Sequence, residues 1–148
     1  MAFLGQFEYT LDAKNRLTIP AKFRDDFKDG AVLSQEYEGC VSVWPAKDWD
    51  AYIDKALGAR DPFSPEARRM ERLLHSSSFE VKLDGAGRVM LPPPLMTHGG
   101  LSKDVTVIGV RRRLEVWDRK RWATEETEMN ATAAESAQRL SGSRDTST

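Results

Sequence analysis

Two short segments carry the same pattern of opposite charges, an Asp followed four residues later by an Arg. The first contains Asp12 and Arg16, and the second contains Asp84 and Arg88. An Arg offers paired donors to a phosphate or to the edge of a guanine, so both segments are candidates for contact with nucleic acid. Each Arg could instead pair with the Asp of its own segment and lock a turn. The residues alone leave both interpretations open.

The two segments differ in positive charge. Lys14, Asn15 and Arg16 present two cations, whereas Ala86-Gly87-Arg88 presents one. Because attraction to a DNA backbone grows with the number of cations placed beside it, the first segment is predicted to be the main DNA-binding loop. Asn15 could add a hydrogen bond to a phosphate or a base, and Arg88 is predicted to be an accessory or structural copy.

Four residues of these segments are predicted to shape turns rather than to bind: Asp12, Asp84, Gly85 and Gly87. Asp side chains accept hydrogen bonds from nearby backbone, and glycine supplies backbone freedom. Asn15 stands where the second segment has Gly87. Since Asn tolerates a positive φ better than most residues, the first turn is expected to keep the same geometry.

The segments belong to a longer internal repeat, which must position them. Residues 7–20 align without gaps on residues 79–92 at an offset of 72, with six of the 14 positions identical. Residues 43–49 match residues 116–122 at an offset of 73. Repeats of this kind indicate duplicated structural units. We therefore predict repeat 1 over 5–49, a helical connector over 50–76, repeat 2 over 77–122, and an acidic C-terminal helix and disordered tail over 123–148.

Hydrophobic periodicity predicts the elements of each repeat. Alternation of apolar and polar residues predicts strands over 7–11 and 16–19 around the charged turn, followed by a short helix and strands over 31–35 and 41–44. The second repeat predicts strands over 105–110 and 114–117 in the corresponding places. Helices are predicted from Pro45 to Gly58, from Ser64 onward, and after Asp118, and the tail beyond Leu140 is expected to be disordered.

Each repeat of about 45 residues is too small to bury a core alone. Two copies that interleave their hairpins would solve this problem and leave few exposed sheet edges. The predicted fold class is therefore mainly β with flanking helices, in which two tandem halves form a swapped-hairpin β-barrel.

Composition excludes several classes of protein. The chain has 148 residues, of which 40% are hydrophobic and 30% charged. No apolar run approaches the ~20 residues of a membrane helix, so no membrane partner is expected. The N-terminus lacks the pattern of a secretory signal, and the single cysteine, Cys40, is typical of a protein from the reducing cytosol.

The net charge of −1 conceals an uneven distribution. Residues 123–148 carry five acids and two bases, which leaves the rest of the chain at +2. The densest basic run, Arg111-Arg112-Arg113, could touch DNA or could meet the acidic tail or a neighbouring subunit. Lys22 is a further candidate DNA contact, with a merely solvated surface position as the alternative.

Motifs for catalysis or cofactors are missing from the sequence. His75 and His98 have no Cys or His neighbours at the spacing of metal ligands, and phosphate-binding loops and nucleophile elbows are absent. No metal, cofactor or small-molecule substrate is predicted, and the chain is not expected to be an enzyme. The paired Trp residues of the two repeats indicate packing rather than base stacking.

Together, the repeated Asp-x-x-x-Arg segments, the stretch from Pro65 to Leu74 and the sequence Glu115-Val116-Trp117-Asp118 give the chain a family resemblance. It resembles the SpoVT/AbrB superfamily of swapped-hairpin proteins, and the tandem arrangement is similar to the MraZ family of transcriptional regulators. The resemblance covers nearly all of residues 1–122. One departure is Asn15, where the family usually has Gly.

The resemblance implies a cytoplasmic, nucleoid-associated protein that assembles as a ring of identical subunits. It also implies binding to short tandem DNA repeats upstream of the protein's own gene, within the division and cell-wall gene cluster, and repression of that operon. The alternative is an oligomeric protein-interaction module, like the AbrB-type antitoxin domains, without DNA specificity of its own.

Overall fold

The computed structural model describes residues 2–58 and 61–146. Within these residues the strands have the bounds β1 Gln6–Thr10, β2 Arg16–Thr18, β3 Ala31–Gln35, β4 Val41–Pro45, β5 Ser78–Val81, β6 Arg88–Met90, β7 Asp104–Val110 and β8 Arg113–Asp118. The helices are a 3₁₀ helix Ala21–Phe27, α1 Ala46–Leu57, α2 Pro65–Ser76, α3 Pro93–Gly99 and α4 Arg119–Thr146. The chain divides into two compact units, Met1–Asp118 and Arg119–Thr148.

Local signals explain where the helices begin and end. The Ser64 hydroxyl accepts a hydrogen bond from the backbone N–H of Ala67 at 3.3 Å, which caps the start of α2. Helix α1 ends at Gly58, which has φ of 64°, and α3 ends at Gly100, which adopts the left-handed conformation. These positions confirm the helices predicted from Pro45 to Gly58 and from Ser64 onward.

The large sheet exchanges strands between the two repeats. Its six strands lie in the order β1-β7-β8-β4-β3-β5, and all neighbouring pairs are antiparallel. Strand β1 of the first repeat pairs with β7 of the second, and β5 of the second pairs with β3 of the first. Each repeat thus completes the sheet of the other, as interleaved hairpins require.

Strands β2 and β6 form a separate two-stranded ribbon, one from each repeat. Leu17 lies opposite Val89, which is also its equivalent under the 72-residue offset, so this pair marks the centre of an approximate two-fold relation. Both side chains are completely buried. Because side chains alternate along a strand, Arg16 and Arg88 lie on the opposite, outer face of the ribbon.

The structure confirms the mainly β class with flanking helices. The closed barrel is not confirmed, since hydrogen bonds join the described strands into two separate sheets. The short helix after Pro20 is a 3₁₀ helix. The division between compact units falls at Asp118 and does not test the boundaries between the repeats. The segments 5–49, 50–76, 77–122 and 123–148 therefore stay a prediction.

The C-terminal segment differs from the expectation of disorder after Leu140. Helix α4 extends to Thr146, while residues 147–148 lie outside the described part of the chain. Its sequence is rich in Ala, Glu and Arg and contains no proline, so the helix meets no residue that forces it to stop.

Candidate nucleic-acid interface

Asp12 organises the first charged turn, residues 12–15, which we call loop 1. Its Oδ1 accepts hydrogen bonds from the backbone N–H groups of Lys14 and Arg16, both at 2.9 Å. Its Oδ2 accepts from Arg16 Nε at 2.6 Å. Asn15 has φ of 57°, so the predicted left-handed turn is present with Asn in place of Gly.

The second turn, residues 84–87 or loop 2, repeats this geometry. Asp84 Oδ1 accepts from the backbone N–H groups of Ala86 and Arg88 at 2.9 Å, and Oδ2 accepts from Arg88 Nε at 2.8 Å. Gly87 has φ of 76°. The two Asp residues are therefore turn-formers, as their position before each turn predicts.

The four charged side chains of the two loops meet across the ribbon. Arg16 Nη1 lies 3.8 Å from Asp84 Oδ2, and Arg88 Nη1 lies 3.7 Å from Asp12 Oδ2. We call these four residues the Asp–Arg cluster. Each Arg therefore lies near both carboxylates. The pairing of each Arg with the Asp of its own segment, the alternative to DNA contact, is present. The partial exposure of the Arg side chains, 27% and 33%, leaves donor groups accessible from solvent.

Hydrogen bonding lowers the pKa of both carboxyl groups. The backbone N–H of Arg16 is the largest cause for Asp12, and the backbone N–H of Arg88 is the largest cause for Asp84. The neighbouring guanidinium groups lower both pKa values further. The cluster therefore holds two negative and two positive charges at neutral pH.

The ribbon places the loops at its two ends. The backbone N–H of Leu91 donates to the Asn15 carbonyl at 3.0 Å, and that of Ile19 donates to the Gly87 carbonyl at 2.9 Å. The outer surface of the ribbon and both loops form one continuous surface, which we call the loop face. Met90 on this surface is 54% exposed.

Loop 1 has a cation that sequence reasoning missed. Lys103 Nζ donates to the Asp12 carbonyl at 3.0 Å and to Asn15 Oδ1 at 3.3 Å. Lys103 precedes β7 and lies outside both aligned blocks of the repeat, so the sequence gives no signal for it. Together with the exposed Lys14, it gives loop 1 two lysines that the Asp–Arg cluster does not neutralise.

Loop 2 has a steric reason for one of its glycines. A Cβ at position 87 would collide with the side chain of Arg24, whose Nε donates to the Ile19 carbonyl at 3.0 Å. Gly85 has no positive φ, and no atom lies within 4 Å of the position that a Cβ would take there. Its equivalent in the first repeat is Ala13. The predicted structural role of Gly85 thus finds no support in the geometry of the turn.

Lys22 makes contacts of a different kind from those of the loops. Its Nζ lies 4.8 Å from the ring centre of Phe7 and 5.0 Å from that of Phe23. These cation–π contacts hold the ammonium group over aromatic rings of the 3₁₀ helix and β1. A DNA contact by Lys22 stays a prediction.

The basic run 111–113 does not belong to the loop face. Loop 1 lies at the Asp104 end of β7, where Thr10 pairs with Asp104, and Arg111 follows the other end. Seven residues of strand separate these ends by about 20 Å. The run was predicted to touch DNA or to meet the acidic tail or a neighbouring subunit. A DNA molecule that contacts both loop 1 and this run would have to extend over those ~20 Å.

Other kinds of site find little support in the described residues. Within ranges 2–58 and 61–146, no cluster of His, Cys, Asp and Glu could hold a metal ion. Cys40 is buried, and burial raises the pKa of its thiol. No helix in the described ranges is long and apolar enough to cross a membrane.

The exchanged strands and the two paired loops define a tandem swapped-hairpin protein. The chain belongs to the MraZ family: the family model described as "MraZ protein, putative antitoxin-like" matches residues 2–73 and again residues 74–142. The two matches follow one another along the chain, as two repeats require.

Curated relatives agree with this family. The chain is 36% identical to the "Transcriptional regulator MraZ" of Lactobacillus delbrueckii subsp. bulgaricus over 138 residues, covering 93% of this chain and 96% of the relative. It is 38% identical to the protein of the same name from Thermus thermophilus over 142 residues, covering 93% and 98%. A third relative of that name, from Lachnoclostridium phytofermentans, is 32% identical over 120 residues, with 81% and 84% covered.

Proposed function

We propose that this protein is a DNA-binding transcriptional regulator that contacts double-stranded DNA through its loop face. One observation carries the proposal: loop 1 holds Lys14 and Lys103 beside two partly exposed arginines, on a surface built by both repeats. The relatives' printed name, transcriptional regulator, supports the same function and a non-enzymatic role. Such a protein acts in the cytoplasm on the nucleoid.

The proposed division of labour within the loop face follows from charge. In the Asp–Arg cluster every guanidinium faces two carboxylates, so its net attraction for phosphate is small. Lys14 and Lys103 add charge at loop 1, which favours phosphate contact there. Arg16 can supply base-edge or phosphate contacts from its partly exposed donors, and Asn15 holds Lys103 in place.

A single loop face offers few cations, so assembly is part of the proposal. We propose that identical subunits form a ring whose loop faces engage successive short DNA repeats. Linked copies raise the effective concentration of each loop at the next repeat, which multiplies a modest affinity per loop. The proposed target is a tandem repeat upstream of the protein's own gene, with repression of its operon as the outcome.

Genomic footprinting with the purified full-length protein tests this function. We expect protection of a short tandem repeat upstream of the gene for this protein, with the protected length set by several repeat units. Protection of scattered sites that share no tandem repeat would overturn the proposal. The absence of protection even at low salt would overturn it as well.

A protein-interaction module of the antitoxin type is the second candidate, and the family description favours it. It predicts a stable protein partner in a pull-down from the source cells and no salt-sensitive DNA binding. Footprints and partner capture together separate the two functions, because only the first candidate requires the loop-face lysines for the footprint.

A further inference from the structure

The β7–β8 turn has an unusual residue at its tip. Val110 pairs with Arg113, so the turn consists of Arg111 and Arg112 alone, which we call the arginine turn. Arg111 has φ of 60°. Two-residue hairpin turns favour glycine or asparagine at such a position, because a larger side chain is disfavoured there. Arg111 occupies this position despite the cost, which points to a role for its side chain.

A cavity of about 440 Å³ lies between the arginine turn and helix α1. This volume falls within the usual range of small-molecule sites. Its lining includes the aromatic residues Trp44 and Tyr52 and the cationic residue Lys55. The Trp44 and Tyr52 rings stack with centres 4.2 Å apart and form an apolar wall.

Four cationic residues and one acidic residue line this cavity, and Glu36 and Glu115 also act on Arg113. Arg113 is paired with Glu115 at 2.9 Å and lies over the Trp44 ring at 5.7 Å. Within the described chain, no ion pair engages Arg111, Arg112 or Lys55. Asp48 is the acidic residue of the lining.

The repeat comparison identifies an unsatisfied donor in the aromatic wall. The indole N–H of Trp117 donates to Glu115 Oε1 at 3.1 Å. Trp44 is the equivalent residue of the first repeat, and Ser42 stands where the second repeat has Glu115. The buried indole N–H of Trp44 has no hydrogen-bond partner in the described chain. The first repeat therefore lacks the carboxylate that satisfies the matching indole of the second repeat.

We propose that this cavity binds a small organic anion, a carboxylate or phosphate carried on a flat apolar body. The arginine turn and Lys55 hold the anionic group, since Arg and Lys are the preferred donors to such oxygens. The apolar body packs against the wall formed by Trp44 and Tyr52. The site is separated from loop 1 by the length of β7, about 20 Å, and is independent of the proposed DNA-binding surface.

Isothermal titration of the full-length protein with phenyl phosphate, benzoate and inorganic phosphate tests the site, with phenol as the uncharged control. We expect saturable binding of phenyl phosphate or benzoate at one molecule per chain, at least tenfold tighter than phenol or inorganic phosphate. A change in tryptophan fluorescence should accompany it.

Arg111→Gly separates binding from folding. Glycine suits the positive φ at this position, so the variant should melt at or above the wild-type Tm while its affinity for the aromatic anion falls about tenfold. Lys55→Gln on the exposed surface of α1 should weaken binding as well. Arg72→Gln, which removes the same charge from α2 outside the cavity, should leave binding unchanged.

Two results would overturn the proposal. One is the lack of saturable binding by both aromatic anions, and the other is binding that Arg111→Gly and Lys55→Gln leave unchanged. If neither probe binds and Arg111→Gly changes the subunit number in light scattering, an acidic segment of a second copy occupies the cavity instead.

Discussion

The Asp–Arg cluster shows how far single residues could be interpreted from the sequence. The spacing of four residues made pairing of each Asp with its own Arg one of two open interpretations, and these pairs are present. The contacts of Arg16 with Asp84 and of Arg88 with Asp12 were beyond prediction. A repeat shows that two positions are equivalent, but it does not show that they are neighbours. Lys103 was missed for a similar reason, because only the fold brings it to loop 1.

Replacing Arg16 tests whether the cluster binds DNA or only shapes the loops. We predict that Arg16→Ala abolishes binding to the operator while folding and assembly persist, because Asp12 still holds loop 1 through backbone N–H groups. Gel shifts measure the binding, and size-exclusion chromatography with circular dichroism measures assembly and folding. Arg72→Ala on α2 is the matched control. Full affinity in the Arg16 variant would assign this residue to structure alone.

The lowered pKa values of Asp12 and Asp84 predict a specific pH dependence of stability. A carboxyl group whose pKa falls on folding stabilises the fold above its unfolded pKa, near 3.8, and loses this contribution as pH falls through the folded value. The Tm of Asp12→Asn should therefore lie below that of the wild type by a constant amount from pH 5 to 8. The difference should shrink below about pH 4.

Thermal melts followed by circular dichroism at several pH values measure this difference. Asp54→Asn, at an exposed position of α1, is a control for loss of a surface carboxylate. A Tm difference that grows as the pH falls below 4 would contradict the assigned charge state of the cluster.

At the scale of elements, the strands followed from periodicity but their partners did not. The pattern predicts the strand at 31–35 with the observed bounds, and the other predicted strands lie within about a residue of theirs. Alternating residues fit a hairpin within one repeat as well as an exchange between repeats. The observed exchange was inferred from the small size of each repeat, since the core must be shared.

The centre of the ribbon gives a test of the exchange. Leu17→Ala should lower the free energy of unfolding by about 2–5 kcal/mol, because the side chain is fully buried against the second repeat. Leu17→Ala and Val89→Ala should be non-additive when combined, since the two residues lie opposite each other. Urea denaturation measures both effects.

Met90→Ala is the matched control, because Met90 is exposed on the outer side of the same ribbon. It should change the free energy of unfolding by less than about 0.5 kcal/mol. Additive effects of the Leu17 and Val89 substitutions would mean that the two repeats do not share this core.

For the whole molecule, net charge was the least informative number. The value of −1 combines a basic part and an acidic C-terminal segment, so it says little about the loop face. The sequence predicted the segment's helix but not its length, because α4 continues beyond Leu140 to Thr146. Local charge on the folded surface decides which partner is attracted. This local charge can be determined only once the fold is known.

The salt dependence of DNA binding tests the central claim most directly, that loop 1 attracts DNA through lysines left unneutralised by the Asp–Arg cluster. Binding of the full-length protein to its upstream DNA should weaken steeply as salt rises. Lys14→Gln and Lys103→Gln should each reduce the slope of log K against log[salt] by about 0.9 per engaged loop. The exposed Lys47→Gln on α1 should leave the slope unchanged. An unchanged slope in both loop variants would contradict the account.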